Sequence, residues 1–194
     1  TENLSLAITA QIELAEAYSE LHEYTQAIDC LDTAIEFSEQ TGEDTYRPTV
    51  LFRKADIHRE QGNLDTALEN IERILDSSGQ QASRDITTGR ARFERGSILS
   101  EMSQYAEARD NLTEALSTLR EEGASHLVVN VLRALVRVAV ESEEPEQVIS
   151  WCKSAESYLD SCDESFPPET RLYFVKTRAQ HQDPGHQDLP QDQG

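Results

Sequence analysis

The chain has 194 residues, of which 17 are Lys or Arg and 37 are Asp or Glu, so its formal net charge at pH 7 is −20. Such a charge repels a nucleic-acid backbone or an anionic membrane surface, which argues against both as direct partners and favours a neutral or basic one. Hydrophobic residues make up 37% of the chain, too many for plain disorder, and only 8 Gly and 6 Pro interrupt it, so we expect a largely helical fold.

The start of the chain, "TENLSLAITAQ", lacks the charged beginning, apolar core and cleavage site of a secretory signal. Spanning a bilayer takes roughly 18 to 20 apolar residues, and no stretch reaches that length. The most apolar run, 131–140, is interrupted by Arg133 and Arg137. The sequence therefore predicts a soluble protein. Because Thr1 is not a start methionine, we interpret the chain as an excised segment of a longer protein, with processing as the alternative.

Cysteine and lysine usage bear on the origin of the protein. Three cysteines, Cys30, Cys152 and Cys162, cannot all pair with one another, which favours a reducing, cytoplasmic compartment. The basic residues are 14 Arg and only 3 Lys. Scarce lysine beside a large carboxylate excess resembles the proteins of salt-adapted archaea, and an arginine-using genome is the alternative.

Four segments of the chain align without gaps, beginning with "AYSELHEYTQAIDCLDTAI". The alignment places Ala27, Ala67, Ala108 and Val148 in one register, at spacings of 40, 41 and 40. Twelve residues before each of these lies Ala15, Ala55, Gly96 or Val136, and seven after each lies Ala34, Ile74, Ala115 or Ala155. Small residues at these spacings, on either side of a short polar turn, let two antiparallel helices approach closely. Each segment is therefore predicted to be a helical hairpin that must stack on its neighbours to bury its apolar stripes.

These residues resemble the tetratricopeptide repeat family. The family pattern of a Leu-Gly/Ala pair, an aromatic, a central Ala and a second Ala one heptad later is matched by Leu14-Ala15, Tyr18, Ala27 and Ala34. The third segment matches with Arg95-Gly96, Leu99, Ala108 and Ala115, and the fourth diverges most, with valine at both close-approach sites. The resemblance covers about residues 5 to 160. Its period is near 40 rather than about 34, as in kinesin light chains, Pins-type spindle adaptors and many microbial signalling proteins.

The resemblance implies an all-α fold, an α-solenoid of stacked antiparallel hairpins in a right-handed superhelix. The elements follow in chain order as repeats of about 5–44, 45–85, 86–125 and 126–164 within a domain of 1–180. Residues 167–180 open with Pro167-Pro168-Glu169 and carry Leu172 and Phe174, so we expect a C-terminal capping helix there. Residues 181–194 are mostly Pro, Gly, Gln and Asp and predict a polar, flexible tail.

Catalytic and cofactor motifs are missing from the sequence. It has no phosphate-binding Gly-rich loop, no His-Glu-x-x-His, no Cys-x-x-Cys and no Gly-x-Ser-x-Gly, and its five His residues are dispersed. We therefore expect no enzyme, no cofactor and no metal site.

The family resemblance further implies that the first helices of the hairpins line a concave groove that holds a ligand. The register positions around each first small residue give the groove candidates, which are Ile12, Glu16, Glu20, Phe52, Asp56, Arg59, Glu60, Arg90, Phe93, Ser97, Asn130, Arg133 and Arg137. Carboxylates dominate in repeats one and two and arginines in repeats three and four. This predicts a protein or peptide ligand with an apolar anchor near Phe52 and Phe93 and with charges of both signs. The plainer interpretation is that the glutamates form a solvated helix edge or pair with arginines inside the domain.

Three interpretations of function remain at this point. The first is a protein-interaction scaffold that binds a peptide or partner domain in the groove, as a regulatory or adaptor segment. The second is an acidic chaperone for a basic client, which would lose that client steeply as salt rises. The third is a structural module that self-associates through its exposed end repeats.

Overall fold

The computed structural model describes residues 2–42, 44–77, 85–162 and 165–182, and these form nine α-helices. In chain order they are α1 (Glu2–Glu20), α2 (Tyr24–Thr41), α3 (Arg47–Glu60), α4 (Leu64–Ser77), α5 (Ile86–Glu101), α6 (Tyr105–Glu121), α7 (Ser125–Glu141), α8 (Pro145–Ser161) and α9 (Pro168–Gln182). A turn of 3-10 helix, Asp44–Tyr46, directly precedes α3. Among these helices none has the length and apolar character needed to cross a membrane.

The helices pack in consecutive pairs, α1 with α2, α3 with α4, α5 with α6 and α7 with α8. Each pair also packs against the first helix of the next pair, and α9 packs on α8. The predicted all-α solenoid of stacked helical hairpins is confirmed. The tail predicted over 181–194 lies outside the described residues from position 183 onward, and residues 181 and 182 are the last two of α9.

The turn inside every hairpin has one conformation. A residue with positive φ closes the first helix in each case, namely His22, Gly62, Ser103 and Glu143 with φ of 59°, 76°, 62° and 57°. The amide of the following residue donates to a carbonyl five positions earlier, as Asn63 does to His58 at 2.8 Å. This is the Schellman ending of a helix, in which a left-handed residue satisfies carbonyls at the C-terminus. The four hairpins therefore share one turn geometry.

The two helices of each hairpin meet at the small residues that define the repeat. All eight close-approach residues are nearly or wholly inaccessible, and they are Ala15, Ala27, Ala55, Ala67, Gly96, Ala108, Val136 and Val148. At Gly96 the helices lie so close that an added Cβ would be 2.7 Å from Leu112 Cγ and 3.0 Å from the Ala108 carbonyl oxygen. The repeat register thus sets how closely the helices pack.

Charge alternates between the helices that stack hairpin on hairpin. The second helices α2 and α4 each carry four carboxylates with at most one arginine, while the first helix α3 carries four Lys or Arg against two carboxylates. Ion pairs join them, since Lys54 of α3 binds Asp32 of α2, and Arg95 Nη2 of α5 lies 3.3 Å from Glu72 Oε1 of α4. The stacking contacts therefore combine an apolar core with flanking charges of opposite sign.

The core is unevenly distributed along the array. Its largest cluster has nineteen buried residues from α5 to α9, whereas the clusters around α1 to α3 and around α3 to α5 have eight each. The C-terminal cluster includes Cys152, and burial raises the pKa of its thiol to about 11, so the side chain stays protonated and packs as a small hydrophobe. The largest continuous apolar core therefore lies in the C-terminal half of the described helices.

Candidate functional site

The first helices of the hairpins line two adjoining cavities. The larger, of about 730 Å³, lies mainly between α1 and α3, and the smaller, of about 370 Å³, lies between α3, α5, α7 and α9. Asp56 and Arg59 line both cavities, so the two are halves of one groove. We call the larger the acidic half and the smaller the basic half.

The acidic half is lined by carboxylates from three helices, which are Glu16, Glu20, Asp56, Glu60 and Glu101. Its two arginines are already paired, because Arg53 Nη2 lies 2.9 Å from Glu16 Oε1 and Arg59 Nη2 lies 2.6 Å from Glu101 Oε1. Glu20 and Glu60 are exposed and form no ion pair with the described residues. A negative potential therefore remains at this end of the groove.

The boundary between the halves is a network centred on Arg59. Its guanidinium reaches Glu94 at 3.6 Å as well as Glu101, and it thereby bridges α3 and α5. Burial raises the pKa of Asp56, against the opposing effect of Arg90, Arg53 and Arg59. Burial also raises the pKa of Glu94, and the charge of Asp56 adds to that increase. Burial at this boundary accordingly favours the protonated form of both carboxyl groups.

The basic half is dominated by Arg133 and Arg137, one turn apart on α7. Both are exposed, and neither forms an ion pair with any residue that the structure describes. The guanidinium of Arg133 lies 5.3 Å from the ring centroid of Tyr173, which α9 brings to the wall of the groove. Burial raises the pKa of Tyr173, and the two arginines act in the opposite direction. Two unpaired guanidiniums beside a half-buried aromatic ring form a surface suited to an acidic group.

A sequence model of the tetratricopeptide repeat family matches residues 6–80, which contain the first two hairpins. The first two hairpins therefore match the tetratricopeptide repeat family. The later hairpins have the same turn conformation and close-approach residues at the same register positions. No curated protein sequence matches it.

Several solved structures share the fold at low sequence identity. A putative kinesin light chain of Podosopora anserina with nearly identical TPR-like repeats aligns at a TM-score of 0.71 and 16% identity, over 90% of this chain and 84% of that one. The apo form of RapI aligns at a TM-score of 0.80 and 13% identity, over 95% of this chain and 50% of RapI. MamA aligns at a TM-score of 0.56 and 13% identity, over 90% of each chain.

Ten of the thirteen candidates from the repeat register line the groove. Five line the acidic half, Glu16, Glu20, Asp56, Arg59 and Glu60. Phe93, Ser97, Asn130, Arg133 and Arg137 line the basic half, where Asp56 and Arg59 recur. Ile12, Phe52 and Arg90 line neither cavity.

Phe52, where the sequence predicted an apolar anchor for the ligand, is buried. Phe52 is only 5% exposed, because it packs in the core cluster around α3 to α5 and the Arg90 guanidinium lies 4.3 Å from its ring centroid. Ile12 is half-buried and packs against the core cluster around α1 to α3. In the groove, the aromatic rings of Phe93 and Tyr173 line the basic half, and that of Tyr24 lines the acidic half.

Sequence reasoning missed several residues that line the groove. Arg53 and Glu94 each stand two positions before the first small residue of their repeat, a register position that the candidate set left out. Including that position would have found both. Tyr173 belongs to α9, outside the four repeats, so no register argument places it in the groove.

Proposed function

We propose that the chain is a non-enzymatic scaffold that holds an extended segment of a partner protein in its groove, as a regulatory or adaptor module of the cytoplasm. Tetratricopeptide repeats generally mediate protein–protein interactions. In this groove the partner would place acidic side chains beside Arg133 and Arg137, an apolar side chain between Phe93 and Tyr173, and basic side chains towards Glu20 and Glu60.

The observation that supports this proposal is that Arg133 and Arg137 are exposed and form no ion pair with the described residues. In a chain with 37 carboxylates and 17 Lys or Arg, an exposed arginine has abundant acidic neighbours available for pairing. The other two arginines that line the groove, Arg53 and Arg59, do bind such neighbours. The α7 pair does not, so its charge is available to an external carboxylate.

The test is a selection of peptides on the immobilised chain from a random displayed library, followed by binding measurements on variants. Arg133→Glu with Arg137→Glu reverses the charge of the basic half. The matched control is Arg73→Glu with Lys153→Glu, because both residues are exposed and lie outside both cavities. These two substitutions change the net charge by the same amount as those in the groove. We expect selected peptides to be rich in acidic residues, to lose at least about tenfold in affinity for the groove variant and to retain it for the control.

Three results would overturn the proposal. The first is an absence of any enriched peptide, and the second is equal binding of the peptides to both double variants. The third is a groove variant with a lower melting temperature than the control, because the two arginines would then serve the fold. Exposed residues without ion pairs predict that both variants melt like the original chain.

A second candidate function is an acidic chaperone for a basic client, favoured by the carboxylates that crowd the second helices α2 and α4. Such binding rests on charge, so it falls steeply between 0.05 and 0.5 M salt, whereas groove binding with an apolar anchor falls little. An adaptation to concentrated salt is the other source of the −20 charge. It predicts that molar KCl raises the free energy of unfolding by screening self-repulsion and that no basic client binds.

A further inference from the structure

The outer face of α1 is an exposed apolar stripe. Leu6 is 71% exposed and Leu14 is 43% exposed, and Leu21, directly after the helix, is 68% exposed. Ala10 and Ala17 lie between them, also exposed. The five residues follow one another at intervals of four, four, three and four, which places them on one side of the helix.

The repeat register shows what this face is for. The positions of Ala10 and Ala17 correspond to Val50 and Ile57 in α3, to Ala91 and Ile98 in α5 and to Val131 and Val138 in α7, and these six residues are 0–2% exposed. In each inner hairpin the face is buried by the second helix of the preceding hairpin. No element in the described part of the chain covers it on α1. The stripe is a stacking face without a stacked helix.

Charge restricts the helix that can cover this face. Residues 1–21 contain four Glu and no Lys, Arg or His, so α1 differs in sign from the first helices α3, α5 and α7, which have more Lys and Arg than Asp and Glu. Inside the array the first helices meet acidic second helices, through pairs such as Lys54 with Asp32. By the same complementarity, α1 requires a basic helix with an apolar side.

The chain itself contains such a helix in α9. It carries three Lys or Arg against one Glu. Leu172 is 47% exposed and Val175 is 36% exposed, and with Lys176 and Ala179 they occupy one side of α9, away from the buried Phe174. Arg171 and Arg178 bind carboxylates of α8, whereas Lys176 forms no ion pair with the described residues.

We propose that α9 of one copy packs across α1 of a second copy, so that the chain associates head to tail. The contact joins Leu172 and Val175 to the leucine stripe and sets Lys176 among the glutamates of α1. Pairing of α1 with another α1 would oppose four Glu to four Glu and is disfavoured. At 0.15 M salt the Debye length is about 8 Å, so charges within the contact outweigh the −20 carried by each whole copy.

The size and symmetry of the contact fix what should be observed. A standard protein–protein interface buries about 1,600 Å². A contact between two single helices buries less, so we expect a dissociation constant on the order of 100 µM. The two surfaces differ, which makes the contact heterologous, and such contacts produce rings or open chains rather than closed dimers. The average mass in solution should therefore keep rising with concentration.

The test is sedimentation equilibrium of the chain from about 5 µM to about 1 mM. The α1 variant is Leu6→Glu with Leu14→Glu, and the α9 variant is Leu172→Glu with Lys176→Glu. Ile86→Glu, at a residue of α5 that is 46% exposed, is the control for an added charge at an exposed apolar site. Circular dichroism melting shows whether each variant is folded.

We expect each double variant to remain monomeric alone and the control to associate like the original chain. A 1:1 mixture of the two variants should give a heterodimer and nothing larger, because the mixture retains one intact α1 face and one intact α9 face. A monomeric original chain at about 1 mM overturns the proposal. Self-association of the α9 variant also overturns it, in favour of α1 pairing with α1, and so does a mixture that stays monomeric.

Discussion

The left-handed residue of the hairpin turn is glycine in only one of the four hairpins. Gly62 adopts this conformation freely, whereas His22, Ser103 and Glu143 carry a Cβ that meets the following carbonyl. A non-glycine residue pays roughly 1–2 kcal/mol for the left-handed region. The other three turns are therefore strained relative to the second.

Replacing Ser103 by glycine should stabilise the protein. We expect Ser103→Gly to raise the free energy of unfolding by roughly 1 kcal/mol, because relief of the Cβ contact exceeds the entropy that glycine adds to the unfolded chain. Urea denaturation measures it. Gly62→Ala is the reverse control and should lower stability by a similar amount. An unchanged midpoint for both substitutions would show that the turn geometry carries no strain.

The boundary network of the groove predicts how stability varies with pH. Because burial raises the pKa of Asp56, the folded protein holds this proton to a higher pH than the unfolded chain does. The contribution of Asp56 is thus fully present below its unfolded pKa and is lost as pH rises through the folded value. The stability of Asp56→Asn relative to the original chain should therefore increase from pH 4 to pH 7.

Urea denaturation at each pH measures this difference. The control is Glu107→Gln, which also removes one carboxylate but on the exposed surface of α6, outside the boundary network. A constant difference between Asp56→Asn and the original chain across this range would contradict the raised pKa.

At the scale of the element, the close approach of α5 and α6 depends on the missing side chain of Gly96. A Cβ there meets the buried Leu112 and a backbone carbonyl, neither of which can move away easily. Overpacking of this kind costs about 1–3 kcal/mol, more than the about 1 kcal/mol that alanine gains as a helix former. Gly96→Ala should therefore be destabilising.

The measurement is a double-mutant cycle by chemical denaturation. Leu112→Ala removes the side chain that the new Cβ contacts, so its cost should be smaller in the Gly96→Ala background than in the original chain. Strictly additive costs would mean that Gly96 acts only through helix propensity.

The sequence predicted the elements well because each hairpin is defined by local information. The spacing of small residues such as Ala15 and Ala27 is within one hairpin, and the stop at Gly62-Asn63 marks its turn. The site was harder because it depends on contacts between hairpins. The cation of Arg90 covers Phe52 across one repeat, and α9 brings Tyr173 to Arg133 from outside the repeat, and neither contact follows from the register.

At the scale of the molecule, packing is nearest-neighbour, since the helices contact chiefly the next helix or the next but one. In such arrays stability is a sum of hairpin and stacking contributions, so it varies along the chain. The nineteen-residue cluster lies in the C-terminal half, and the N-terminal cluster has eight residues. The hairpin α1–α2 should therefore open at lower free energy than α7–α8.

Native-state hydrogen exchange measures this gradient. We expect the amides of α1 and α2 to exchange through partial opening and those of α7 and α8 only through global unfolding. The control is the same experiment in denaturant approaching the midpoint, where all helices should converge on one free energy. Equal protection of all helices in water would show that the array opens as one cooperative unit.

The identical hairpin turns also have a consequence for how the chain folds. Because each turn joins two helices adjacent in sequence and most packing is to the next helix, the mean sequence separation of contacts is short, which is typical of proteins that fold in microseconds to milliseconds. We expect the large cluster of α5 to α9 to form first and order to propagate from it towards the N-terminus. The acidic half of the groove would then be completed last, on a basic half that is already formed.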